Sequence, residues 1–264
     1  MLSPELLFWI GLALKMASTA TVVVVVSVAV ERSGPFVAAL IGALPTAAGA
    51  AYVILALEQP PEFIAASAIG TIAISGAVGI FALVYAVLAQ RHGLVVSLGV
   101  ATIVWFAVAY ALRSVDWTPI SAVAVSAAIF AVTIPLSRRY RTAGGPIKFV
   151  RTCFDIPLRA LTVALVVAVV TTASSAIGAF ASGMFALFPI ILGSSIAIMQ
   201  PRIGGKATAS MMAHTQIFLI GLGLGGLALH YLVARIGVWP ALLASLCVCL
   251  AWSGALFLFR RKSD

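Results

Sequence analysis

Charge is scarce in this chain: Asp, Glu, Lys and Arg make up 9% of 264 residues, and only seven of them are acids. A soluble globular domain carries about a quarter charged residues. A chain that is 63% apolar, with mean hydropathy +1.19, is therefore not a soluble globule and belongs in a bilayer. Cysteine is equally sparse. Cys153, Cys247 and Cys249 have no metal-knuckle spacing with histidine, and the last two sit inside an apolar run as small packing residues. Catalytic signatures are missing too: there is no Gly-x-x-x-x-Gly-Lys, no His-Glu-x-x-His and no pair of carboxylates inside an apolar run. No enzymatic activity is expected, and nothing in the chain calls for a cofactor or a resident metal. A Cu(I) site from Met211, Met212 and His214 is disfavoured, because adjacent methionines point to different sides of a helix.

What is present is a series of long apolar runs separated by charge, glycine, proline and serine. A spanning helix needs about 20 mostly apolar residues. Nine stretches qualify, at about 5–30, 35–57, 63–90, 94–112, 118–137, 157–176, 179–200, 207–233 and 238–259. The first has no basic region before it and no distinct cleavage site, so a retained helix is expected rather than a signal peptide. The weakest boundary, Ala173 to Gly178, carries no charge.

Sixteen basic residues give a net charge of +9, which in a soluble protein would suggest nucleic acid. Here they sit at the ends of apolar runs, with no extended basic domain to follow a phosphate backbone, so nucleic acid is excluded as a partner. Counted on alternate sides of nine spans, one side collects Arg32, Arg91, Arg138, Arg139, Arg141, Lys148, Arg151, Arg159, Arg202, Lys206, Arg260, Arg261 and Lys262, and the other only Arg113 and Arg235. That bias places the C-terminus in the cytoplasm and the N-terminus outside. The polar segment 138–151 reads as a cytoplasmic topology anchor. It could also dock a lipid headgroup or a membrane-protein partner.

The chain also echoes itself. Sliding it by 144 residues, without a gap, superposes Gly34 on Gly178, Phe36 on Phe180, Pro45 on Pro189, Gly49 on Gly193, Lys15 on Arg159, Thr71 on Thr215, Gly79 on Gly223, Arg91 on Arg235 and Gly93 on Gly237. An internal duplication explains this most simply. Five spans separate equivalent helices, so the copies cross the membrane in opposite directions. The expected fold is an all-α polytopic membrane protein of about nine transmembrane helices. Two inverted four-helix repeats, 1–113 and 157–264, are joined by a connector helix and basic loop at 114–156.

The order of features resembles the GlpM family of small bacterial inner-membrane proteins, here as a tandem duplication. A basic residue in the first helix is followed by a glycine, a small-residue run, a proline and a charged turn. The carriers are Lys15, Gly34, Ala43-Leu44-Pro45-Thr46 and Glu58 in one copy, and Arg159, Gly178, Leu187-Phe188-Pro189 and Arg202 in the other. The resemblance implies a four-helix unit per copy and a location in a bacterial inner membrane, and it implies no particular chemistry.

Candidate site residues follow from depth in the membrane. Pro45 and Pro189 fall about eleven residues into their spans, near the midplane at about 1.5 Å per residue. A proline there should free the carbonyl of Ile41 or Phe185, and freed carbonyls in antiparallel repeats are how many carriers build a substrate site. The alternative is a pair of kinks that only shape the bundle. Thr46 adjoins the first proline. His214, Thr215 and Gln216 lie close to the same depth in the eighth span, where an ionisable group is expensive and so points to function. His214 would serve proton coupling, or else be a packing histidine bonded to a neighbouring Ser or Thr. Lys15, about ten residues inside the first span, would hold an anionic group of the substrate or pair with an acid. Two functional readings stay open here: a carrier or facilitator for a small molecule, with an anionic one suggested by Lys15, and a non-transporting subunit that stabilises a larger membrane complex.

Overall fold

Long apolar runs leave backbone amides no partner but one another, so a helical chain is required. The computed structural model describes residues 10, 17, 21, 46–141, 157, 161 and 178–261, and contains no strand among them. We number the helices α1 (Thr46–Glu58), α2 (Pro61–Leu88), α3 (Leu94–Arg113), α4 (Pro119–Arg138), α5 (178–186), α6 (Ile190–Ile203), α7 (Gly205–Ile236) and α8 (Val238–Arg261). Among the described residues α2, α3, α4, α7 and α8 are long and apolar enough to cross a membrane, with mean hydropathy of 2.0 to 2.2 in their richest windows. The protein is thus a helical one suited to a bilayer.

Local chemistry sets the helix ends. Pro61 and Pro119 occupy first-turn positions, where a missing N–H costs nothing. At the start of α4, the Ser121 amide donates to Thr118 Oγ1 at 3.2 Å while the Thr118 amide donates to Ser121 Oγ at 3.0 Å. This reciprocal cap satisfies two orphan donors. Thr118→Ala should cost about 1 kcal/mol and lower the melting temperature in detergent by roughly 2–4 °C. A thermal melt that superposes on wild type would show that the cap contributes nothing.

Helix α2 is the spine of the bundle, with α3, α4 and α7 against it. Its direction relative to α7 follows from their contacts. His230 faces the Ala65 carbonyl, Gly226 meets Ala68 and Ile72, Gly223 meets Ser75, Gln216 reaches Gly79, and Gly205 abuts Ala89. Rising numbers on one helix meet falling numbers on the other, so α2 and α7 are antiparallel. Helix α4 runs parallel to α2, because Ser126 pairs with Ile72, Gly76 meets Ile129, and Gly79 meets Phe130 and Thr133. Between α7 and α8 a ladder of side chains marks an antiparallel pair. Trp252 Nε1 donates to Ile217 O at 2.9 Å, Cys249 Sγ to Gly221 O at 3.2 Å, and Ser245 Oγ to Gly225 O at 2.8 Å.

Three helices recur at one spacing. Helices α1, α2 and α3 start at Thr46, Pro61 and Leu94, and α6, α7 and α8 start 144 residues later, at Ile190, Gly205 and Val238. Their packing exchanges in step: α2 lies on α3 and α7 on α8, while α3 touches α6 and α8 touches α1.

One expectation needs correction. A single helix over 179–200 with Pro189 at its centre is not what forms. The chain breaks at Leu187-Phe188-Pro189 into α5 and α6, with Pro189 as the residue before α6 (φ −75°, ψ 47°). The freed carbonyl expected on Phe185 is occupied as well: the Phe188 amide donates to it at 3.0 Å, and Leu187 donates to Met184 O at 3.1 Å. The last turn of α5 tightens to i→i+3 bonds and takes up the carbonyls that the proline cannot serve. Prolines inside continuous helices do occur, at Pro135 in α4 and Pro201 in α6. A membrane proline therefore does not by itself break a helix here.

Charge divides between the two ends of the bundle. Antiparallel α2 and α7 bring Arg91, Arg138, Arg139, Arg202 and Lys206 to one end, and Glu58, Glu62, Arg113, Asp116 and Arg235 to the other.

Candidate functional site

Glycines on α2 and α7 remove side chains that would hold α2 off α4 and α7. A Cβ on Gly79 would stand 3.0 Å from the Phe130 ring and 3.3 Å from Thr133 Oγ1, and one on Gly223 would stand 3.2 Å from Ser75 Oγ. This close approach admits Gln216, which is fully buried. Its Nε2 donates to the Gly79 carbonyl at 3.2 Å, while its Oε1 has no partner. Thr133 Oγ1, beside the same glycine on α4, is also buried and unpartnered. Two orphan polar groups beside Gly79, where α2, α4 and α7 meet, are a costly arrangement in an apolar interior. Chemically they offer a water or a polar solute an amide acceptor and a hydroxyl that both donates and accepts.

A second polar node joins α1, α2 and α5. Thr71 Oγ1 lies 2.7 Å from Tyr52 Oη and donates to the Gly183 carbonyl at 2.9 Å. It ties α5 to the spine. Backbones touch at this crossing, since a Cβ on Gly70 would collide with the Phe180 carbonyl and one on Gly183 with the Ser67 carbonyl. Beyond it, the break between α5 and α6 is packed in aromatics. Trp105 is fully buried, with its ring 4.8 Å from Phe188 and 6.5 Å from Phe185. Towards the basic end, Tyr85 Oη donates to Gln200 Oε1 at 2.9 Å, and Gln200 Nε2 donates to the His92 carbonyl at 3.4 Å.

The residues singled out from sequence do not all meet. Gln216 reaches the α2–α4–α7 junction. Thr215 turns back on its own helix, donating to the Met211 carbonyl at 3.0 Å. His214 is half-buried, with Nδ1 2.8 Å from the Ser210 carbonyl. A carbonyl only accepts, so Nδ1 is the donor in this contact. Pro189 sits at the helix break, next to Trp105 rather than beside Gln216. Thr46 opens α1 at the position equivalent to Ile190. Lys15, Pro45, Gly34 and Arg159 lie outside the described residues, as does the loop from 142 onward. Sequence reasoning missed Thr133, Tyr52 and Trp105. Thr133 has no counterpart in the sequence at the 144-residue spacing, and aromatic residues in an apolar run carry no positional signal.

At the less basic end a cavity of about 360 Å³ opens between the α3–α4 turn, α2 and α5. Arg113 and Asp116 line it together with Trp117, Phe180, Ile69 and Ala66. Trp117 is fixed on both sides: its Nε1 donates to the Leu112 carbonyl at 2.6 Å, and its ring stacks on Phe180 at 6.4 Å with 5° between planes.

Comparison of the chain with protein-family models, with curated proteins and with solved structures returns no match.

Proposed function

We propose that this protein is a multi-pass carrier or facilitator of a small solute. In this reading it is built from two inverted four-helix repeats and sits in a bacterial inner membrane with its N-terminus outside and C-terminus in the cytoplasm. One observation carries the reading: α2 and α7, equivalent at 144 residues, pack antiparallel while their neighbours exchange partners. That is the arrangement expected of a two-fold axis lying in the membrane plane. A discontinuous span at Pro189 and orphan polar atoms at Gln216 and Thr133 add the broken helix and the polar midplane that alternating-access carriers use. The division of charge between the two ends of the bundle is in keeping with the proposed orientation.

Gln216 tests the reading. Leucine there matches the volume and removes both the buried amide and its orphan oxygen, so Gln216→Leu should melt at or above the wild-type temperature. In liposomes loaded with a panel of radiolabelled metabolites, the wild type should pass at least one solute and Gln216→Leu should lose that flux. The proposal fails if no solute moves, or if Gln216→Leu and Pro189→Ala both leave a measured flux unchanged.

A further inference from the structure

We propose that the cavity between the α3–α4 turn and α5 is a binding site for a small zwitterion with an apolar side chain, the chemistry of a free amino acid. Its volume of about 360 Å³ suits a molecule of that size. Arg113 and Asp116 lie three residues apart at one mouth, and among the described residues neither forms an ion pair with the other or with a third group. A guanidinium takes a carboxylate through a pair of parallel N–H bonds. A carboxylate takes an ammonium. Both charges are exposed and unpaired among the described residues beside one cavity, and together they favour a ligand that carries both, because a molecule with only one charge leaves a protein charge to solvent.

The remaining lining is apolar. Trp117, Phe180, Ile69 and Ala66 make a wall for an aliphatic or aromatic side chain. This wall is built before any ligand arrives, because the Trp117 ring is held by Leu112 and by Phe180. Phe180 is fixed in turn, because its carbonyl lies on Gly70. A preformed site loses little entropy on binding. The wall is also one face of α5, which ends at the Pro189 break. An occupant of the cavity would thus touch the discontinuous element of the bundle from the end opposite the basic residues. The binding site stands on the cavity alone. Its use as a docking station for a transported solute rests on the carrier reading above.

The test uses full-length protein in lipid nanodiscs and calorimetric titration with three probes. Phenylalanine carries both charges, phenethylamine only the ammonium and 3-phenylpropanoate only the carboxylate. Phenylalanine should bind saturably, and Arg113→Gln and Asp116→Asn should each weaken it about fivefold. Arg113→Gln should leave phenethylamine unchanged, and Asp116→Asn should leave 3-phenylpropanoate unchanged. That crossed pattern is one that misfolding cannot produce. Absence of saturable phenylalanine binding overturns the proposal, as does equal weakening of all three probes by both variants. Binding without flux would keep this site and remove the carrier reading. Flux of a solute with no phenylalanine binding would do the reverse.

Discussion

Gly183→Ala is expected to leave almost no folded protein. At this position α5 crosses α2 with backbone against backbone, and the added methyl would collide with the carbonyl of Ser67 rather than with a side chain that can swing away. The helices would have to separate. Separation would break the Thr71 bond to the Gly183 carbonyl and strip the Phe180 carbonyl from Gly70. Overpacking of this kind costs at least about 3 kcal/mol, a large share of the roughly 5–15 kcal/mol that holds a typical protein together. Gly70→Ala, on the other side of the crossing, should behave the same way. Gly99 in α3 is the internal control, because nothing lies within 4 Å of its Cβ position. Gly99→Ala should gain up to about 1 kcal/mol from helix propensity alone. Size-exclusion profiles and melting temperatures of detergent-solubilised protein decide the matter. A Gly183→Ala peak that matches wild type would mean that α5 does not cross α2 in this way.

Spans proved readable because hydrophobic length is a direct physical requirement of the bilayer. Expected starts at 63, 94, 118, 207 and 238 fall within two residues of the observed Pro61, Leu94, Pro119, Gly205 and Val238. Charge at the turns marks these boundaries without reference to packing. The break at Pro189 was only half legible. A proline announces a lost hydrogen bond, but whether the helix kinks or stops depends on what can pack into the gap. Pro135 and Pro201 continue their helices while Pro189 does not. At Pro189 the neighbours Trp105, Phe185 and Phe188 fill the space around a short non-helical linker. No local pattern in the sequence reports that.

The site was legible to the same partial degree. Gln216 stood out because a buried amide is expensive, and the structure places it in the interior with an unpartnered oxygen. Its companion Thr133 looked like any threonine in an apolar run. Thr215, one residue away from Gln216, points elsewhere and bonds its own helix. Position along a helix is readable from sequence to about one turn. Direction around the helix, at about 100° per residue, needs the neighbours. The glycines show the same limit. Those on α7 announce close packing, but only the structure shows that Gly223 meets Ser75 and Gly225 meets Ser245 and Cys249.

A disulfide between Ser75→Cys and Gly223→Cys is expected to form readily and, under the carrier reading proposed above, to arrest solute flux. A Cβ on Gly223 would stand 3.9 Å from the Ser75 Cβ, inside the 3.5–4.5 Å range that a disulfide spans. The native cysteines are first replaced by alanine, and a protease site is introduced into the loop between α4 and the second half. Oxidation should then leave the cleaved chain as one band without reductant and two bands with it. Moving one partner two turns away, as Ser67→Cys with Gly223→Cys, displaces it by about 12 Å along α2 and should abolish the link. Efficient linking of that displaced pair, or none between 75 and 223, would overturn the antiparallel register of α2 and α7. The functional consequence follows from the position of the link. Ser75 and Gly223 lie on the two spine helices in direct contact, so under the carrier reading proposed above any movement that slides α2 along α7 or parts the two is blocked by the link. A covalent bond there holds the bundle in one state. Solute flux in liposomes should fall to background on oxidation and return with dithiothreitol, while phenylalanine titration at the Arg113 cavity should be unaffected. Continued flux through fully cross-linked protein would show that transport does not require the repeats to move at α2 and α7.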